Sequence, residues 1–272
     1  MEPYSAAVSP DGSRVYIANK EGSGSSTGSL TVINAATNTV LTTIDDPCFV
    51  SPEWVTVNPA GTFAYVVSRQ GDSVCVVSTA SNTVVDEVEV GSEPRSAVVT
   101  CDGQFVYVAN YGGSPDVSKI RTSDNTVVNG INFSTGGARN MSITPDGRKI
   151  YVGFRNDAVG TILVENDQAD TITLPGGNST FATAVLANGS RVYVTDEDDD
   201  EVEVITVNGD VVLTGAGLPI PAGSTPRGVA TAFTCASTAP VPAVSMRWSV
   251  LLAFVLAALG GGILSRRHTR WS

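Results

Sequence analysis

Six residues of the chain combine types and a spacing that could bind an anion. They stand eight residues before a recurring turn glycine, or at the matching place of a sixth partial copy, and they are Tyr4, Glu53, Arg95, Arg139, Phe181 and Arg227. Guanidinium groups bind carboxylate and phosphate through paired hydrogen bonds, so converging arginines would suit an anionic ligand. The alternative is that each arginine forms an ion pair with a neighbouring repeat and only stabilises the fold.

An internal repeat sets this spacing. A tyrosine follows four residues after each of the turn glycines, which are Gly12, Gly61, Gly103, Gly147 and Gly189. A second landmark, Asn-Thr-Val, recurs at 38–40, 82–84 and 125–127. Within each period, four segments rich in Val, Ile, Thr and Tyr are separated by turn residues, which predicts four strands. A repeat of this kind is typical of one β-propeller blade.

Five copies of the repeat are recognisable in the sequence. They predict an all-β propeller with four-stranded blades at about 5–45, 54–91, 96–136, 140–175 and 182–214. The six residues above would then surround one mouth of the channel. Residues 226–233 repeat an inner strand without outer strands after it, so we expect upstream strands to complete the ring. The chain also enters its first strand directly after Met1, so we expect an export signal upstream.

The repeated segments, PDGxxxYVAN followed by VxVIxxxTNTV, resemble the YVTN β-propeller repeat. The copies most similar to it are at 16–19 and 107–110, and the resemblance covers about residues 3–233. It implies a propeller of the kind found in surface-layer and other exported bacterial proteins. Propellers include both enzymes and binding proteins, so the resemblance does not choose an activity. Lactonases of this fold use an acid, an arginine and a histidine or metal, whereas the one histidine here is His268.

The body of the chain is acidic and its last residues are not. Four of the 16 basic residues lie after residue 246, which leaves 12 basic and 27 acidic residues before it. Such a body would be repelled by nucleic acid and by anionic lipid.

Residues 234–246 are a linker of small residues and proline, and residues 248–264 carry no charge. These 17 residues predict a transmembrane helix of roughly 25 Å, because an all-β repeat fold has no helical layer in which to bury them as a core helix.

The basic residues after this segment predict a cytoplasmic tail and an extracytoplasmic propeller, in the periplasm or at the cell surface. Together with the proline-containing motif just before them, residues 247–272, the transmembrane helix and basic tail, also resemble a bacterial carboxy-terminal sorting signal of the IPTL-CTERM type. The matching residues are Pro242, Trp248, Arg266 and Arg267. The resemblance implies processing by an exosortase-like membrane protease. Val-Pro-Ala-Val stands where Ile-Pro-Thr-Leu is usual, so the tail is either processed or simply an anchor.

Other candidate sites are weaker. The acidic run 196–203 lacks the glycine of a calcium loop and favours a solvated hairpin over a cation site. The four cysteines, at 48, 75, 101 and 235, have no metal-binding spacing; a disulfide is permitted outside the cytoplasm, but its pairing cannot be deduced. We therefore expect no metal and no cofactor.

The sequence thus favours a membrane-tethered or surface-sorted propeller of the bacterial cell envelope. We expect it to bind a surface polymer, a protein or a small anionic ligand. The alternatives are a propeller enzyme, either a lactonase-like hydrolase or an oxidoreductase, and a purely structural envelope protein.

Overall fold

The computed structural model describes residues 2–20, 27–156, 158–176 and 179–229. The chain divides into two units, Met1–Ala236 and Ser237–Ser272. The second unit lies outside the described residues, as do the predicted linker and transmembrane segment. The propeller described below therefore belongs to the first unit.

Five antiparallel sheets follow one another along the chain, and in each the strands pair in sequence order. The first two blades consist of β1 (Glu2–Val8), β2 (Arg14–Lys20), β3 (Thr27–Asn34) and β4 (Thr39–Val50), then β5 (Pro52–Val57), β6 (Phe63–Ser68), β7 (Ser73–Ser78) and β8 (Thr83–Glu89). A short 3-10 turn, Arg69–Gly71, follows β6.

The third and fourth blades consist of β9 (Pro94–Val99), β10 (Phe105–Asn110), β11 (Val117–Arg121) and β12 (Thr126–Ile131), then β13 (Ala138–Ile143), β14 (Lys149–Phe154), β15 (Ala158–Leu163) and β16 (Gln168–Thr173). The fifth consists of β17 (Thr180–Val185), β18 (Arg191–Asp196), β19 (Glu201–Thr206), β20 (Val211–Val212) and β21 (Ile220–Pro221). The chain is therefore an all-β propeller, and the predicted blades are confirmed with boundaries shifted by a few residues.

The repeated turn reverses the first strand of each blade into the second. Gly147 has a φ of 72°, in the left-handed region that glycine adopts without steric cost. The preceding Asp146 accepts hydrogen bonds from the Thr144 hydroxyl at 2.5 Å and from the Arg148 N–H at 3.1 Å. The Asp-Gly pair thus supplies both the backbone freedom and the local hydrogen bonds of the turn.

The Asn-Thr-Val landmark marks the turn between the third and fourth strands. One turn residue in each blade has φ between 52° and 58°, and these residues are Asn38, Asn82, Asn125, Asp167 and Asp210. Short polar side chains tolerate this left-handed conformation better than other residues with a Cβ. The sequence therefore keeps Asn or Asp at this place in every blade.

The core lies between blades. Each of four apolar clusters joins one blade to the next, and Tyr16, Tyr65, Tyr107 and Tyr151 each contribute to one of them. All four tyrosines are buried. We call the four contacts joints 1 to 4, in chain order. The repeated tyrosine is thus a packing residue of the joints.

Polar contacts reinforce joints 3 and 4. In joint 3, the Tyr107 hydroxyl donates a 2.6 Å hydrogen bond to Asp167, which also binds Lys119 Nζ at 2.8 Å. In joint 4, Tyr151 and Lys149 contact Asp210 in the same way, each at 2.6 Å. The aspartate in each case is the turn residue with positive φ.

A disulfide crosses joint 1. It joins Cys48, near the end of β4, to Cys75 in β7. Cys101 is also disulfide-bonded. The pairing of Cys48 with Cys75 links residues from different blades, which explains why spacing along the sequence did not reveal it.

The fifth blade departs from the prediction in three places. Its fourth strand is split, because β20 pairs with the end of β19 and β21 pairs with the beginning. The acidic run is not a fully solvated hairpin: Asp198, Asp199 and Asp200 are exposed, but Asp196 and Glu203 are buried. Residues 226–229 form no strand, and the rest of the predicted inner-strand copy, 230–233, lies outside the described residues.

Candidate functional site

The residues predicted to surround the channel meet at one end of the inner strands. Strands β1, β5, β9, β13 and β17 pack against one another in chain order, so residues in the same register lie at the same channel mouth. We define the channel-mouth cluster as these residues and their contact partners: Tyr4, Lys20, Glu53, Arg69, Glu93, Arg95, Tyr111, Arg139, Phe181, Glu197 and Arg227.

Glu53 organises the first part of the cluster. Its side chain is 2% exposed, and its Oε1 lies 2.5 Å from Lys20 Nζ and 3.2 Å from Arg69 Nη1. Lys20 belongs to the first blade, so this ion pair crosses joint 1; its ammonium also lies 5.3 Å from the Tyr4 ring centroid. Arg69 Nη2 binds Glu93 Oε2 at 2.6 Å, and this hydrogen bond lowers the pKa of Glu93. Both basic residues therefore have carboxylate partners.

Glu197 organises the last part of the cluster. Its Oε1 lies 2.8 Å from Arg139 Nη1 across joint 4, and its Oε2 lies 3.1 Å from Arg227 Nε. The Phe181 ring centroid is 5.3 Å from Arg139 Cζ and 5.9 Å from Arg227 Cζ. Although burial opposes ionisation, the hydrogen bond and the charge of Arg139 hold the pKa of Glu197 below its ordinary value. Glu197 is therefore an ionised ion-pair partner.

Arg95 lies between these two parts and forms no ion pair with any described residue. Its Cζ stacks 3.9 Å from the Tyr111 ring centroid, and its buried Nε has no hydrogen-bond partner. Burial, and then the nearby charge of Arg69, lower the pKa of Arg95. Arg139 Cζ lies 5.8 Å from the same ring, and its Nε is also buried without a partner. Two guanidinium groups thus lie near Tyr111, and the Nε–H of each has no hydrogen-bond partner among the described residues.

The cluster is positive in an acidic chain. It contains three acidic side chains, Glu53, Glu93 and Glu197, against five basic ones, Lys20, Arg69, Arg95, Arg139 and Arg227. The carboxylates occur in ion pairs with four of the basic residues. The cluster therefore has two positive charges in excess, and Arg95 is the basic member that none of these ion pairs includes.

The structure also contributes residues that the sequence reasoning missed. Eight residues after each turn glycine, where the second strand ends, stand Lys20, Arg69, Tyr111, Arg155 and Glu197. The second strand runs antiparallel to the first, so its end returns to the channel mouth. Four of these five residues belong to the cluster, and Arg155 is exposed. Counting eight residues after each turn glycine, as well as eight before it, identifies these residues from the sequence.

The predicted sorting residues Pro242, Trp248, Arg266 and Arg267 lie outside the described residues, as does the segment 248–264. Within the described part of the chain, no helix is long and apolar enough to cross a membrane. The same residues contain no group of three acidic, histidine or cysteine side chains that could hold a metal ion.

Comparisons with known proteins place the chain among propellers. A family model described as "Lactonase, 7-bladed beta-propeller" matches residues 21–129, from the first blade into the third. A solved chain titled "Kuenenia stuttgartiensis Hydrazine Synthase" is 25% identical with a TM-score of 0.68, over 80% of this chain and 66% of that one. This chain thus spans about two thirds of that protein's length. No curated protein matches. Fold and likenesses together show that the chain is a β-propeller protein.

Proposed function

We propose that the chain is a ligand-binding propeller whose channel mouth takes an anionic ligand at Arg95. The observation that carries the proposal is the environment of this side chain. Its guanidinium is stacked on Tyr111, has a buried Nε without a partner, and forms no ion pair among the described residues. A partly desolvated cation of this kind is stabilised by a carboxylate or phosphate that accepts its hydrogen bonds.

Tyr111 and Arg139 lie beside Arg95 and would help it to hold an anion. The Tyr111 ring, 3.9 Å from Arg95 Cζ, covers one side of the guanidinium group. Arg139 Cζ lies 5.8 Å from the same ring, so a second guanidinium group adds positive charge beside Arg95. A carboxylate or phosphate has enough acceptor oxygens for both arginines.

The alternative interpretation of the arginines as inter-blade clamps fits other members of the cluster better. Lys20 with Glu53 and Arg139 with Glu197 are ion pairs between neighbouring blades. These contacts support a structural role for those pairs. Arg95 has no such partner, so the clamp interpretation does not account for it.

An extracytoplasmic location fits the disulfide chemistry. The bond between Cys48 and Cys75 would persist in an oxidising compartment. We therefore keep the proposal that the propeller works outside the cytoplasm, tethered to the membrane or sorted to the envelope. Its partner there would be an anionic surface polymer, an acidic protein or a small anion.

A second candidate function is hydrolysis of a lactone, which the lactonase family model favours. Water would attack the ester carbonyl while a carboxylate accepts its proton, and a guanidinium would stabilise the oxyanion. The ring C–O bond would then break as the leaving alkoxide oxygen takes up that proton, which gives the open hydroxy acid. The low pKa of Glu197 makes that carboxylate a weak base. We test this candidate with glucono-δ-lactone: ring opening at the rate of the buffer alone would exclude it for that lactone class.

Replacing Arg95 with glutamine is expected to weaken anion binding with little effect on stability. Loss of charged hydrogen bonds should lower the affinity for the probe, inorganic phosphate or citrate, by about 10- to 150-fold. Isothermal titration calorimetry measures the affinity and thermal unfolding measures the stability. The control is Arg121→Gln, because Arg121 is exposed and paired with Asp124 away from the channel mouth.

The result that would overturn the proposal is equally specific. If neither phosphate nor citrate binds the parent chain, or if Arg95→Gln lowers the melting temperature strongly without changing affinity, Arg95 is a structural residue. An equal loss of affinity in the Arg121→Gln control would show that only the overall charge matters.

A further inference from the structure

One register position on the third strand of each blade faces the joint with the preceding blade. It pairs with the residue five places after the turn glycine, and in blades 2 to 5 it holds Cys75, Ser118, Gly160 and Glu203. Cys75 forms the disulfide of joint 1. The Ser118 hydroxyl accepts hydrogen bonds from Gly91 N and Asn110 Nδ2, at 3.2 and 2.9 Å. In joints 1 and 2 this position thus holds a small side chain that is bonded to a neighbouring group.

Gly160 shows how little space the position offers in joint 3. A Cβ on Gly160 would lie 2.7 Å from the Phe133 ring, which is closer than van der Waals contact. In joint 4 the equivalent residue is a glutamate. A long ionisable side chain therefore occupies a place that the other joints fill with small groups.

Glu203 is buried in joint 4 without any polar partner among the described residues. It is 1% exposed, and neither carboxyl oxygen has a hydrogen bond. Val194 and Ile205, which share its face of the sheet, pack with Tyr151 and Leu174. A charged carboxylate in such surroundings is strongly disfavoured relative to its neutral form.

The charges around Glu203 have the same sign. Glu201 on its own strand, Asp196 on β18 and Asp199 in the connecting turn all disfavour its ionisation. From blade 4, the titratable group in the packed cluster is Tyr151, whose hydroxyl donates to Asp210. At the channel-mouth end of this joint, Arg139 is paired with Glu197. Burial first, and then these carboxylates, raise the pKa of Glu203 to about 7.

The sheet is also interrupted beside Glu203. Strand β20 pairs with Ile205 and Thr206, whereas β21 pairs with Glu201 and Val202. Between these two short strands the edge keeps the hydrogen bond that Leu213 N–H donates to the Val204 carbonyl, at 2.8 Å, but it has no continuous fourth strand like β16. A region with fewer backbone hydrogen bonds opens at a lower free-energy cost.

We propose that Glu203 makes joint 4 a proton-controlled hinge, closed while the carboxyl is neutral and opened by its ionisation. The Arg139–Glu197 ion pair crosses the same joint, so opening would separate these members of the channel-mouth cluster. The hinge does not depend on the identity of any ligand, and its test is independent of anion binding.

The direction of the pH effect follows from the raised pKa. When the joint opens, Glu203 returns to its ordinary pKa near 4.5, so opening releases a proton at neutral pH. The stability of the closed joint is complete below pH 4.5 and falls as the pH rises towards 7. Opening should therefore increase up to about tenfold per pH unit in this window.

Hydrogen–deuterium exchange tests the hinge at pH 5, 6, 7 and 8. After correction for the intrinsic exchange rate, amides of β19 in the parent chain should exchange about tenfold faster per pH unit between 5 and 7. Amides of β11, in the third blade, should not follow this trend. The Glu203→Gln variant should lose the pH dependence in β19, because glutamine remains neutral.

Two further variants keep the test decisive. Glu165→Gln removes an exposed carboxylate of blade 4 and should behave as the parent chain does. If Glu203→Gln fails to fold, Glu203→Ser introduces the residue that joint 2 carries at this position. The proposal is overturned if β19 exchange in the parent chain is flat between pH 5 and 7, or if it stays equally pH-dependent after Glu203 is replaced.

Discussion

Replacing Asp167 with alanine should lower the free energy of unfolding by about 3 to 5 kcal/mol, the usual cost of removing one partner from a buried ion pair. Asp167 binds Lys119 Nζ at 2.8 Å, the Tyr107 hydroxyl at 2.6 Å and Asn129 Nδ2 at 3.0 Å. The Lys119 side chain is 9% exposed, so alanine would leave its charge without a partner and away from water. Urea unfolding followed by circular dichroism measures the change.

The matched control is Asp124→Ala. Asp124 and Arg121 form an ion pair in the same chain, but these side chains are 45% and 46% exposed. Solvent screens surface pairs of this kind, so Asp124→Ala should destabilise the chain much less than Asp167→Ala does. Equal losses in the two variants would contradict the view that burial makes joint 3 sensitive to its aspartate.

The effect of Asp167 should also depend on pH. Although burial opposes ionisation, hydrogen bonds from Lys119, Tyr107 and Asn129 lower the pKa of Asp167 below its ordinary value of 3.8. A carboxylate with a depressed pKa stabilises the fold above its unfolded pKa and loses that contribution as the pH falls through the folded value. The difference between the parent chain and Asp167→Ala should therefore shrink below about pH 4.

The double variant Cys48→Ser/Cys75→Ser should lose about 3 to 4 kcal/mol of unfolding free energy. The disulfide closes a loop with a sequence separation of 27 residues, and the chain-entropy model gives this magnitude for such a loop. Both cysteines are buried in joint 1. Urea unfolding of the variant against the parent chain, both without reductant, gives the difference.

Mutation is the cleaner test of this bond, because Cys101 is also disulfide-bonded and a reductant would act on both bonds. The matched control is Ser118→Ala, at the equivalent position of joint 2, where loss of the hydroxyl that accepts from Gly91 N should cost about 1 to 3 kcal/mol. If the double cysteine variant loses no more unfolding free energy than Ser118→Ala does, the disulfide does not constrain the unfolded chain as the chain-entropy model assumes.

The fold was predictable because the same local requirement recurs in each blade. A glycine with positive φ and a tyrosine four residues later mark the same hairpin each time, and in the first four blades the tyrosine is buried. The blade boundaries followed from these marks to within a few residues. The split fourth strand of blade 5 was not predictable, since β20 and β21 are two residues each and lack a strand-length pattern.

The channel mouth was predictable in part. Register along the first strand identifies Arg95 and Arg139. It does not identify Tyr111, on which Arg95 stacks, because Tyr111 follows the second strand of its blade. The pairing of charges depends on side-chain distances between blades, which no spacing along the chain reveals. The acidic run 196–203 predicts solvent exposure, and that prediction fails at Glu203. Side chains alternate along a strand, and this alternation turns Glu203 towards joint 4.

The four joints would respond differently to mechanical force. Each joins only neighbouring blades, and a covalent bond crosses joint 1, whereas the Tyr151–Asp210 contact and the unpaired Glu203 lie in joint 4. In a force-extension experiment on the described blades, the fifth blade should detach before the first. The disulfide would also hide a loop of 27 residues, roughly 90 Å of contour length, from the extension until the bond is reduced.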